Sequence, residues 1–204
     1  MKNSPLYKEI IAFLIDNKAT NNGAGLYIEG TDAKVKNVQI EENKAVNGAG
    51  FYIQGDNAQV LNAKILNNTA TNGAGAYILG SDAIVNGGVI SDNKATNGAG
   101  VYINGYSADV LNVAVENNRA DLGAGVYIQG NQATVDHINA TSNVAKRAGA
   151  VYVNGSKSKV TNSRFIDNNA TIEGGAVYII GSETTFENDY FYKNNAIPDV
   201  KLRD

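Results

Sequence analysis

His137 carries the only imidazole of the 204-residue chain, and imidazole is the side chain whose ordinary pKa lies closest to neutrality. Such a group acts as a general base where a nucleophile or a carboxylate pair lies within hydrogen-bond reach. Nothing in the sequence forces a serine or a carboxylate pair to it, and the chain has no cysteine, hence no thiolate nucleophile or thiolate metal ligand. His137 stands instead in a recurring column: Asn37, Asn62, Gly87, Asn112, His137, Asn162 and Asn188. The reading this position supports is an imidazole replacing one amide in a stack, hydrogen-bonded to Asn112 or Asn162.

Carboxylates are the other source of chemistry, and they need partners at a defined separation. One outward column runs Asp32, Asn57, Asp82, Ser107, Gln132, Lys157, Glu183; a second runs Lys34, Gln59, Ile84, Asp109, Thr134, Lys159, Thr185. A third runs Lys36, Leu61, Asn86, Leu111, Asp136, Thr161, Glu187. Charges of both signs are scattered through all three. Glu41 and Glu42 are adjacent, but the equivalent positions one repeat later are Leu66 and Asn67. No catalytic residue, metal ligand or cofactor is therefore expected.

Aromatic residues offer a binding surface instead. Tyrosine recurs at Tyr27, Tyr52, Tyr77, Tyr102, Tyr127, Tyr152 and Tyr178. Flanked by glycines such as Gly25, the rings of Tyr52, Tyr77, Tyr102 and Tyr127 could form an exposed stripe for a carbohydrate or a partner. The favoured alternative is a packing ladder that stiffens a sheet. The glycine-rich GAGxYIxG segment is no phosphate cradle, because it recurs inside strands rather than once before a helix.

The elements that position these columns follow from the period. The tyrosines are 25 residues apart, with one spacing of 26 at the end, and a period of this size marks a solenoid or array. Alternation within each unit is that of strands. Ala24, Leu26 and Ile28 fall on one face; Ala33 and Val35, then Val38 and Ile40, repeat the inward pattern. Three short strands per unit give a coil of about seven rungs. Glycine closes the first strand at Gly30, Gly55, Gly80, Gly105, Gly130, Gly155 and Gly181, where a left-handed conformation is the expected cause. Asparagine recurs at Asn17, Asn43, Asn68, Asn93, Asn118, Asn143, Asn168 and Asn194. At a rung spacing of about 4.8 Å this column becomes a ladder of side-chain amides.

The fold class is thus all-β, a single-stranded parallel β-helix. Residues 1–17 are expected to hold a capping helix and a partial rung, 18–196 seven repeats, and 197–204 a C-terminal tail. Ser4 as N-cap, Pro5 at the first helical position, and Leu6, Ile10 and Phe13 place the helix over residues 5–12.

GGAVYI (174–179), FYKN (191–194) and FIDN (165–168) resemble the GGA[ILV] and FxxN tetrapeptides of polymorphic outer-membrane autotransporter and adhesin-like repeats. That resemblance implies a right-handed coil of the pectate-lyase type and, by extension, an extracellular passenger fragment that binds glycan or protein. The fold also hosts polysaccharide lyases, which need several acidic residues for calcium plus a basic residue, and related hydrolases, which need a group of aspartates. Units one to five depart from the pattern with GAG in place of GGA. The regularity of the repeat is also that of an idealised or designed sequence.

Bulk properties narrow the partners. Net charge is −3, which leaves no basic surface for nucleic acid. No run approaches the roughly 18 apolar residues of a membrane span, and residues 10–15 lack the cleavage pattern of a signal peptide. Localisation stays open. Self-association is expected, if anywhere, through the ends of the coil or through Leu61, Ile84 and Leu111. The functional expectation is a structural scaffold without catalytic activity, ahead of the adhesin-like and polysaccharide-lyase readings.

Overall fold

The computed structural model describes residues 12–196, and within them the chain is a right-handed parallel β-solenoid of about seven turns. The first strands are Leu26–Ile28, Phe51–Ile53, Ala76–Ile78, Val101–Ile103, Val126–Ile128, Val151–Val153 and Val177–Ile179, and together they form one seven-stranded sheet. Every pairing is parallel and in register, so that Tyr77 lies between Tyr52 and Tyr102. The second and third strands belong to a 13-stranded sheet, joined where Gln59–Leu66 and Ile84–Ser91 run through the corner as single strands. A short sheet that the alternation does not announce joins Val144–Arg147, Asn169–Glu173 and Asn195–Ala196.

Inward residues make one continuous core. Ile53, Ile78, Ile103 and Ile128 are stacked and fully buried, as are Val60, Val110, Val135 and Val160. Volume is balanced between rungs: Phe51 lies beside Ala76 and Phe165 beside Ala140. A large ring thus meets a methyl in the rung next to it, which preserves close packing.

The asparagine ladder is continuous from Asn17 to Asn194. Asn68 Nδ2 donates to Asn93 Oδ1 at 3.0 Å and its backbone N–H to the same oxygen at 2.9 Å. Asn93 repeats both bonds to Asn118 at 3.0 Å. The second amide proton of each residue goes to a backbone carbonyl, as from Asn118 to Ile90 at 3.0 Å. Asn68, Asn118, Asn143 and Asn168 are fully buried, and the ladder is what satisfies them there.

Two expectations change. No helix occurs among the described residues. The capping helix predicted over residues 5–12 falls outside them except for Ala12, which opens the strand Ala12–Ile15 and pairs with Val38. The partial rung ending at Asn17 is present, whereas residues 197–204 lie outside the described part. The Gly30 column is not left-handed. From Gly55 onward it is glycine because a β-carbon would collide with the carbonyl oxygen of the glycine one rung earlier, as Gly80 with Gly55.

The left-handed residues are elsewhere, at the corners. Gly23, Gly48, Gly73, Gly98, Gly123 and Gly174 have φ between 56° and 66°, and Ala148 takes the same place with φ 58°. Three further corner columns hold mostly non-glycine residues at positive φ. They include Asp32, Asn57, Asp82 and Lys157; Asn37, Asn62 and His137; and Glu42, Asn67 and Ser142. Asn and Asp tolerate this region best among residues with a side chain, which explains their abundance at the corners.

Candidate functional site

Each tyrosine stands on the outward side of the first sheet, one per rung. Consecutive rings from Tyr27 to Tyr178 are stacked, with centroids 4.7–5.3 Å apart and planes within 23° of parallel. The column brings all seven rings together but does not leave each one exposed. Tyr52 and Tyr127 are only 6% and 7% exposed, Tyr77 and Tyr102 are half-buried, and Tyr27 at the first rung is 41% exposed. The flanking glycine does not open the surface as the alternation suggests. A β-carbon at Gly25 would fall 2.5 Å from the Gly50 carbonyl oxygen in the next rung and 2.6 Å from Ile40 Cγ2, so glycine is there because backbone and core leave no room.

Face-to-face stacking hides the ring surfaces that a sugar would lie against, and the interior of the ladder offers edges and hydroxyls. Those hydroxyls meet a row of amides: Tyr27 donates to Gln54, Asn104 Nδ2 donates to Tyr77 at 3.3 Å, and Tyr127 donates to Gln129 at 3.1 Å. Burial pushes the phenol pKa up at Tyr52, Tyr77, Tyr102, Tyr127 and Tyr152, with neighbouring phenols adding to the rise at Tyr52 and Tyr102. Neutral, hydrogen-bonded rings of this kind pack; they do not supply a nucleophile at neutral pH.

His137 does not join an amide stack. Its backbone occupies a left-handed corner, φ 52°, and its Nδ1 donates to Asp136 Oδ2 at 2.6 Å rather than to Asn112 or Asn162. The column Asn37 to Asn188 exists for its backbone geometry: all seven positions have positive φ. Asp136 is the hub, because its Oδ1 also accepts from Thr161 Oγ1 at 2.7 Å and Asn162 Nδ2 at 2.8 Å. Burial raises the Asp136 pKa, but the bonds from Asn162, Thr161 and His137 outweigh it and hold the value at about 2. The carboxylate anchors a corner, and the imidazole, its side chain 57% exposed, lies against it.

The outward columns spread their charges as the sequence suggests. Asp109, Thr134 and Lys159 are in register, as are Leu111, Asp136 and Thr161. Among the described residues no group of three or more His, Asp or Glu side chains is placed to hold a metal ion. Leu61, Ile84 and Leu111 are half-buried, with Asn86 between the two leucines. One feature escapes the column reading. Asn47, Asn72 and Asn97 each donate to the asparagine one rung earlier, at 2.8–2.9 Å, forming a second ladder that begins at Asn22. Its direction is opposite to that of the first. It breaks at Leu122, and the same column ends in the Arg147–Glu173 pair at 2.9 Å.

Against known proteins, the chain matches the family model described as a right handed beta helix region over residues 49–198. No curated protein and no solved structure matches it.

Proposed function

Since the chain belongs to the right-handed β-helix family, we propose that it is a structural scaffold, a stiff rod that catalyses no reaction. Membership alone does not decide this, because a fold hosts many activities. The observation that carries the reading is that backbone geometry and rung-to-rung packing account for the recurring polar and aromatic columns. The corner Asp, Asn, Glu, Ser, Lys and His residues occupy left-handed backbone positions, the buried asparagines are fully used between rungs, and the tyrosines face one another. Asp136, the carboxylate with the most depressed pKa, holds three neighbouring side chains.

The 25-residue period, lengthened only once to 26 in the tyrosine column, supports an idealised, designed origin for such a rod. The residues behind the adhesin-like resemblance have architectural roles: Gly174 turns a corner at φ 66°, and Phe165 stacks on Phe191 at 4.9 Å.

The test uses the full chain against a glycan array and against polygalacturonate with calcium. Expected are no turnover and no binding that depends on the ladder. Turnover, or binding abolished by Tyr77→Ser with Tyr102→Ser in a protein that remains folded, overturns the scaffold reading.

A further inference from the structure

Rungs four to six hold one polar concavity whose chemistry the rod does not need. It is lined by Ser107, Gln132, Thr134, Lys157 and Lys159, with a volume of about 310 Å³. That lies near the lower end for small-molecule sites. Its construction follows from the corner geometry. Ser107, Gln132 and Lys157 occupy the same left-handed corner in successive rungs, with φ 55°, 59° and 58°. Thr134 and Lys159 are paired neighbours on the strand that follows. Lys157 and Lys159, two exposed residues of one rung, therefore line the same cavity as two hydroxyl-bearing residues and a glutamine.

The charge balance there is unusual for this chain, which carries 20 acidic against 17 basic side chains. No carboxylate lines the cavity. The ion pairs among the described residues are His137–Asp136, Lys146–Asp121 and Arg147–Glu173, so neither lysine is paired with a described carboxylate. Asp109, one rung from Thr134, is engaged by the Thr134 hydroxyl, and Glu183 holds the next corner beyond Lys157 without pairing to it. The equivalent corner carries Asp32 and Lys34 in the first rung and Asp82 and Ile84 in the third, where an anion would meet a carboxylate, and Asn57 and Gln59 in the second, which supply no cation.

We propose that the Lys157–Lys159 cavity binds a tetrahedral oxyanion, a sulfate or phosphate group. Two ammonium groups supply the charge-assisted bonds, and Ser107 and Gln132 supply neutral donors to the remaining oxygens. The inference goes beyond the scaffold reading and is independent of the tyrosine ladder, so the two fail separately.

The experiment is an amide-resolved NMR titration of the full chain at pH 7 with inorganic sulfate, with inorganic phosphate, and with galactose 6-sulfate. Saturable shifts confined to Ser107, Gln132, Thr134, Lys157 and Lys159 are expected. Replacing both lysines (Lys157→Gln, Lys159→Gln) should weaken binding roughly tenfold or more, whereas Lys34→Gln with Lys36→Gln should leave it unchanged. Tighter saturation by the sugar sulfate assigns the anion to a glycan, and equal saturation assigns it to a free ion. Linear, non-saturating drift over the whole surface, or equal affinity in the Lys157/Lys159 variant, overturns the proposal.

Discussion

Gly80 lies directly against Gly55: a β-carbon on the first would fall within the shell of the second's carbonyl oxygen. The same overlap recurs at Gly105, Gly130, Gly155 and Gly181, each with the glycine one rung earlier. Gly30, at the start of the column, meets only Ala33 Cβ, at 3.8 Å, among the described residues. Gly80→Ala should therefore cost about 3 kcal/mol through overpacking, and Gly30→Ala should stay within about 0.5 kcal/mol of the parent. Urea unfolding of the two variants measures the difference; equal costs would place the cause in backbone freedom instead.

The buried ladder predicts a gradient of its own. Asn93 Oδ1 accepts two bonds from Asn68, and Asn93 Nδ2 gives one to Asn118 and one to Ile65 O at 3.2 Å. Asn93→Ala leaves several buried groups without partners and should cost about 3 kcal/mol or more. Asn17→Ala, at the partly exposed start of the ladder, should cost about 1 kcal/mol. Calorimetric unfolding of both variants checks the ratio.

His137 offers a direct test of corner against catalyst. If its place is set by φ 52°, His137→Asn keeps stability within about 0.5 kcal/mol, and His137→Val costs about 1–2 kcal/mol, since a β-branched residue resists the left-handed region. Denaturation midpoints read this without any substrate. A large loss in the asparagine variant would show that the imidazole itself holds the corner.

Two aspartates give opposite pH dependences. Asp136 has a folded pKa of about 2, below its ordinary value. Its stabilising contribution is present above about pH 4 and is lost as pH falls toward 2. Asp189 goes the other way: burial raises its pKa although Ser163 N–H donates to Oδ1 at 2.8 Å, and its buried Oδ2 has no partner. Stability tied to its protonated form is complete below the unfolded pKa and declines as pH rises through the folded one. Ser163 fills the equivalent place one rung earlier with a hydroxyl that accepts from Ile138 N–H and donates to Thr161 O. Asp189→Ser should accordingly raise the melting temperature at pH 7, with the gain vanishing toward pH 3. A gain independent of pH would mean that charge is not the cause.

The parts of this fold that are legible in the sequence are those where one residue type fits and recurs. Asn43 to Asn194 reads as a ladder because an amide both donates and accepts along the axis, and few side chains replace it. The tyrosine stack is equally plain. The corners are hidden because Asp32, Ser107, Gln132 and Lys157 share a backbone conformation rather than a chemistry, so the column resembles a variable surface. Glycine misleads at Gly55 and Gly80 because positive φ and close approach select the same residue. His137 misleads because its alignment with asparagines reflects φ alone. The second ladder from Asn22 to Asn97 is cut short at Leu122, too early for its column to stand out.

Because every paired strand in the first sheet meets its neighbour tyrosine to tyrosine, that outward column carries no internal address. A coding sequence that slips by one period during replication would splice like onto like, with Tyr52 landing where Tyr77 had been and the same partners waiting above and below. Length is then a heritable variable decoupled from foldability, adjustable a turn at a time without a new joint having to be invented.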